Sequence, residues 1–293
     1  MPNFRTFIKL ARPLQLLLAA LTYSLGAGIA RYLGHPVQVA SFGLSLLVIL
    51  AIQTAAFWLV EYFRLPFTPL AKEETPRNRE ALQAGLFQSA TALLTGSGAI
   101  IVTLIIARLL PLAAEILMGL IIFFSLIYSV PPIRLSETGY GELVQAVELG
   151  TLFPALAFFT QFGEFHRLLT FATFPITLLA LSYLLVNDFP AYGIDQKYGR
   201  HSMLIQLTWQ HAISIHHVLI LLSFLFFAAT PLLGFPWGLV WPVFLVMPFA
   251  GIEILWLQRI AGGGRALWKL LVPFSAAVFG LTVYLLTLTF WLR

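Results

Sequence analysis

The stretch HSMLIQLTWQHAISIHHVLILLSFLFFAATPLLGFPWGLVWPVFLVMPFAGI, His201 to Ile252, runs for 52 residues without one Asp, Glu, Lys or Arg. A helix crossing the hydrocarbon core of a bilayer needs roughly 20 apolar residues, so this run is too long for one span. Pro231, Gly234, Pro236 and Gly238 interrupt it, and such residues punctuate helices. The reading is two helices, about 212–230 and 237–257. Working outward, apolar runs of spanning length recur at Pro13–Ala30, Tyr32–Val60, Ala81–Ala107, Ile116–Ile133, Leu143–Gly163 (broken only by Glu148) and Leu168–Asn187. A last helix covers about 270–291, which makes nine. The first run follows Arg5, Lys9 and Arg12 like a signal peptide, but with eight spans behind it we read it as a retained anchor.

Composition agrees. The 293 residues are 59% hydrophobic and 10% charged, with a mean hydropathy of +0.90; a soluble domain averages about 45–50% apolar and about 25% charged. A soluble enzyme, a disordered chain and a coiled coil are excluded. The absence of cysteine excludes disulfides, thiol nucleophiles and Cys-ligated metals. The expected fold is all-α, a polytopic integral membrane bundle of nine transmembrane helices forming a single domain over residues 1–293.

Nine spans place the termini on opposite sides. On the N-terminal side lie Arg5, Lys9, Arg12, Arg64, Lys72, Arg77, Arg79, Arg134, Lys197, Arg200, Arg259, Arg265 and Lys269; only Arg31, Arg108, Arg167 and Arg293 lie opposite. By the positive-inside rule the N-terminus is cytoplasmic, in a prokaryotic inner (plasma) membrane. The net charge of +5 is then topological and calls for no nucleic acid. Most acids share the basic side, among them Glu61, Glu73, Glu74, Glu80, Glu137, Glu142, Asp188 and Asp195. Topology needs only bases, so acids gathered with them point to chemistry.

Two longer connections, about 61–80 and 188–211, lie on that side and begin alike, with Leu59-Val60-Glu61-Tyr62-Phe63 and Leu185-Val186-Asn187-Asp188-Phe189. Lys72, Arg77 and Arg79 follow in the first; Lys197 and Arg200 follow in the second. We read a weak internal repeat whose halves face each other across a bundle. Carboxylates at a membrane helix end, followed by cations, suit a diphosphate: acids hold Mg²⁺, and Lys and Arg take the remaining oxygens. The plain alternative is a solvated loop of surface ion pairs, each contributing at most about 1 kcal/mol.

The segment Tyr128-Ser129-Val130-Pro131-Pro132-Ile133-Arg134-Leu135, followed by Gly139-Tyr140-Gly141-Glu142, resembles a signature of the UbiA superfamily of membrane aromatic prenyltransferases. The string from Asn187 through Asp188, Ala191, Asp195 and Lys197 to Gly199-Arg200 is similar to that family's second Asp-rich motif, in the form found in 1,4-dihydroxy-2-naphthoate polyprenyltransferases. The resemblance implies a polyprenyl diphosphate bound through Mg²⁺, ionisation to an allylic cation, and attack by an electron-rich aromatic acceptor inside the bilayer. It implies Glu61, Asp188 and Asp195 as metal ligands, with Asp195 and Glu61 catalytic. Lys72, Arg77, Arg79, Arg134, Asn187, Lys197 and Arg200 are then the substrate-binding set.

Both motifs are degenerate. Where the family's first motif carries further Asp residues this chain has Arg64 and Thr68, and the first Asp of the second motif is Ala191. The implied Mg²⁺ site is therefore weakened, with Glu73 and Glu74 as possible replacements. A non-catalytic isoprenoid-binding or partner-binding relative and a small-molecule transporter stay as alternatives. Glu148 lies inside a span, where an ionisable group points to function by default, with Gln145 one turn away as its expected partner. His211, His216 and His217 read as interfacial hydrogen-bonding residues.

Overall fold

The protein is seen in a computed structural model that describes residues 4–64 and 76–293, and of residues 4 and 76–78 the backbone alone. Lys72, Glu73 and Glu74 lie outside the described residues, as does the side chain of Arg77. Every element among the described residues is helical. A short helix, α1 (Phe4–Leu10), leads into α2 (Pro13–Tyr32). The break between them is at Arg12, which the following proline bars from the α region and which takes φ 51°, ψ 64°. Then come α3 (Val39–Tyr62), α4 (Pro76–Ile106) and α5 (Leu112–Ser129). The second half holds α6 (Gly141–Phe162), α7 (Arg167–Tyr198), α8 (Met203–Leu233), α9 (Trp237–Ala261) and α10 (Trp268–Leu292). Nine helices among the described residues, α2 to α10, are long and apolar enough to cross a membrane.

The boundaries correct two expectations. The connection read as 188–211 is mostly helix. Pro190 tightens α7 into a 3-10 turn at Phe189–Ala191, since proline removes one backbone donor, yet the helix continues to Tyr198. Gly199 ends it at φ 67°, a left-handed conformation that glycine adopts at no steric cost. In the first half of the 52-residue run, α8 starts near 203 rather than 212, with a kink at Thr208.

The helices close around α2. It packs on α6, α10 and α3, while α3 pairs with α4 and α7 pairs with α8. Without a hydrophobic force between helices in lipid, such packing relies on small residues that let backbones approach. At Gly26 an added Cβ would collide with the Pro154 carbonyl oxygen of α6, and at Gly28 it would fall 2.7 Å from the Trp291 ring of α10. That indole donates to the Ser24 carbonyl at 3.0 Å. The core runs through α2, α6, α7 and α10, with Tyr23, Phe153, Phe158 and Phe279 buried.

The charge split predicts the orientation. With no native cysteine in the chain, single cysteines at Thr75 and Gln196 should react with an impermeant maleimide only from the cytoplasmic side, and one at His35 only from outside. Labelling of either loop position from outside would refute this topology.

Candidate active site

A cavity of about 350 Å³ opens at the basic end of the bundle. Its walls come from the start of α2 (Arg12, Gln15), the end of α5 (Tyr128), the start of α6 (Glu142, Gln145), the end of α7 (Tyr183, Asn187, Asp188, Ala191) and Arg200. Family-like segments far apart in sequence thus meet in space. The Gly199 turn folds Arg200 back, with its backbone N–H on the Asp195 carbonyl at 2.9 Å. The Arg200 guanidinium then lies 3.6 Å from the Asp195 carboxylate and donates to the Ser136 carbonyl at 3.2 Å. Opposite, Glu142 accepts from the Met203 N–H at 3.3 Å, and its carboxyl lies within hydrogen-bonding reach of Asp188.

Glu61, at the end of α3, is buried beneath two arginines. Arg64 reaches both its oxygens at 2.7 and 2.8 Å, and Arg12 stands 3.8 Å away. Arg12 also covers the Phe57 ring at 4.9 Å. Burial by itself lowers the affinity of a guanidinium for its proton. For Arg12 the neighbouring Tyr128, Glu61 and Asp188 outweigh this, and for Arg200 the carboxylates Asp195 and Asp188 do so. Both are held above the usual arginine range and stay charged.

The remaining expected residues divide by position. Asn187 and Asp188 line the cavity, whereas Asp195 is buried behind Arg200. Arg134, at φ 46°, pairs with Glu137 at 2.8 Å and reaches the Val60 carbonyl at 3.4 Å. Arg79 donates to the Arg64 carbonyl at 3.5 Å. Lys197 is exposed over the Tyr198 ring. Sequence reading missed Arg12 because it looked like one more topological charge. It quoted Tyr128 and Glu142 without assigning them a role.

Two further polar groups lie deeper. Glu148 does not pair with Gln145: it accepts from Gln53 of α3 and Ser125 of α5, each at 2.8 Å. Gln145 instead lines the cavity, and a π-turn runs from Glu148 to Leu152. His216 is fully buried on Glu253 of α9 at 3.0 Å rather than interfacial.

The arrangement defines a polytopic membrane protein with an acid-and-arginine pocket at one end of an apolar bundle. Residues 70–271 match the UbiA prenyltransferase family, and the chain belongs to that family. Among solved structures it is similar to a UbiA homologue from Archaeoglobus fulgidus bound to DMAPP and Mg²⁺, at TM-score 0.62 and 15% identity, covering 96% of this chain and 99% of the other. It is also similar to a digeranylgeranylglyceryl phosphate synthase (TM-score 0.62, 13% identity, 100% of both chains). The apo UbiA homologue from Aeropyrum pernix K1 matches at TM-score 0.58 and 17% identity over 90% of this chain and 94% of its own. At these identities the likeness is one of fold. No curated protein sequence matches the chain.

Among the described residues no cluster of three or more His, Asp or Glu is arranged to hold a metal. Glu61 and Asp195 are each engaged by an arginine. Mg²⁺, however, commonly takes one or two carboxylates and completes its shell with water and substrate phosphates. The Glu142–Asp188 pair fits that role, and the repulsion between two adjacent carboxylates is relieved by a divalent cation.

Proposed function

We propose that the chain transfers a prenyl group from a polyprenyl diphosphate to an aromatic quinone precursor within the membrane, a naphthoate being favoured over a hydroxybenzoate by the second motif. The observation that carries this reading is the facing of Arg12 and Arg200 with the Glu142–Asp188 pair, at the mouth of an apolar bundle in a chain of this family. Arg12 and Arg200 bind diphosphate oxygens, as guanidinium forks do. Glu61 and Asp195 hold those two arginines in place. Asn187 and Gln145 add donors beside them. Asp188 and Glu142 would hold Mg²⁺, which when bound neutralises charge on the departing diphosphate. The C–O bond breaks with its electron pair leaving on the diphosphate, an acceptor ring carbon bonds the allylic carbon, and the ring proton is lost. The apolar walls keep water from the allylic cation.

The test is turnover of the purified chain against a panel of aromatic acceptors, with and without Mg²⁺. Asp188→Asn and Glu142→Gln should each raise the Mg²⁺ concentration for half-maximal turnover. The double change Arg64→Asp with Ala191→Asp should lower it, because it removes a cation that repels Mg²⁺ and adds a carboxylate to the cavity wall. Opposite charges about 4 Å apart at an effective dielectric near 20 interact by roughly 4 kcal/mol, and a quarter of that gives about a fivefold shift. An unchanged requirement in the double variant refutes the weakened-site account.

The grip of Arg64 on Glu61 favours a second reading, a metal-independent isoprenoid binder without turnover. Prenyl diphosphate bound equally well in EDTA, with no product from any acceptor, would establish it.

A further inference from the structure

A second pocket, of about 230 Å³, lies at the same basic end, between the end of α9 and the start of α10. Trp256, Arg259, Ile260, Arg265 and Leu267 line it. From this pocket we propose a binding site for the headgroup of an anionic phospholipid, with the two arginines taking the phosphate. The proposal does not depend on the catalytic reading.

Among the described residues this charge has no acid paired with it. Beyond Glu253 the sequence holds no Asp or Glu to its last residue, and Glu253 is buried on His216. The ion pairs found among the described residues leave out Arg259, Arg265 and Lys269, although Arg12, Arg64, Arg134 and Arg200 all have acids beside them. Arg259 and Arg265 are exposed, as a topological charge also would be. Here a cavity stands between them, and the Arg259 stem is laid along it. At Gly264 an added Cβ would meet the Arg259 carbonyl at 2.7 Å and its Cγ at 3.0 Å, so the glycine turn clears room for that stem.

The end of a helix is ordinarily a poor place for an anion, because its free carbonyls carry partial negative charge. At the end of α9 those carbonyls are covered: Gly262 N–H bonds the Gln258 carbonyl at 3.0 Å and Gly264 N–H the Arg259 carbonyl at 2.9 Å. The rim identifies the occupant as a lipid rather than a free phosphate. Trp256 and Leu267 of the lining are 38 and 53% exposed, and their sequence neighbours Leu255 and Leu270 are exposed too, so apolar surface for acyl chains adjoins the arginines. Tryptophan at such a depth marks the membrane–water interface, and basic pockets between membrane helices on the cytoplasmic side are suited to anionic headgroups.

The experiment uses the full chain in a non-ionic detergent, titrated separately with phosphatidylglycerol and phosphatidylcholine of the same acyl length and followed by native mass spectrometry. We expect a preference of about tenfold for phosphatidylglycerol, from roughly two surface arginines. The double variant Arg259→Gln/Arg265→Gln should lose it, and Arg259→Lys/Arg265→Lys should keep most of it, with the melting temperature in lipid-free detergent unchanged in both. Equal binding of the two lipids by the native chain overturns the proposal, as does full preference in the Gln variant. Displacement of the lipid by soluble glycerol phosphate alone would also overturn it, marking a site for a free phosphate ester.

Discussion

Arg200→Gln is expected to weaken prenyl diphosphate binding about a hundredfold, because a charge-assisted contact is worth up to about 3 kcal/mol. Arg200 is already oriented, held at 3.2 Å by the Ser136 carbonyl and backed by Asp195. It meets the ligand without first losing rotamer freedom. Removing the charge also leaves Asp195 facing the incoming anion unscreened. Arg12→Gln should act in the same direction through Glu61. Asp195→Asn should cost less, since it loosens Arg200 without deleting it, and should show mainly as a raised KM. Direct binding of a radiolabelled prenyl diphosphate to purified protein, at fixed Mg²⁺, is the measurement. Affinity within threefold of the native chain would remove Arg200 from the site.

Gly26→Ala should be the most damaging conservative change in the bundle. The new methyl would meet the Pro154 backbone carbonyl, which cannot rotate aside as a side chain can. Overpacking of this kind costs about 3 kcal/mol when the neighbour is rigid. The internal control is Gly43→Ala on α3, where an added Cβ meets nothing within 4 Å. There the better helix propensity of alanine gives a small gain. Thermal unfolding in detergent should show a large loss for the first variant and none for the second. Equal melting temperatures would mean that the α2–α6 approach relaxes freely.

The fold was largely legible because a spanning helix writes itself as an apolar run, and nine such runs are hard to misread. Its finer structure was less so. Pro190 suggested a loop, but a 3-10 turn absorbs one proline and the helix goes on. Gln145 looked like the partner of Glu148 under regular helical spacing, but packing brings Gln53 of α3 and Ser125 of α5 to that carboxyl, which spacing along one helix does not record. Within the site, Asn187, Asp188 and Arg200 were found through a local string whose spacing survives in the fold. Arg12 carries no such string; its place depends on α2 reaching across to α5 and α7, which no local pattern records. Glu61 was found, but its engagement with Arg64 could be read only once both side chains were placed.

The pairing of α2 with α10 bears on how the protein is made. The start of α2 supplies Arg12 and Gln15 to the cavity, and further along the same helix packs on Trp291 of α10. During synthesis α2 precedes α10 in the chain, so its glycine face lacks that partner until α10 has entered the bilayer. A chain that stopped before α10 would carry every cavity-lining residue and no partner for the glycine face of α2.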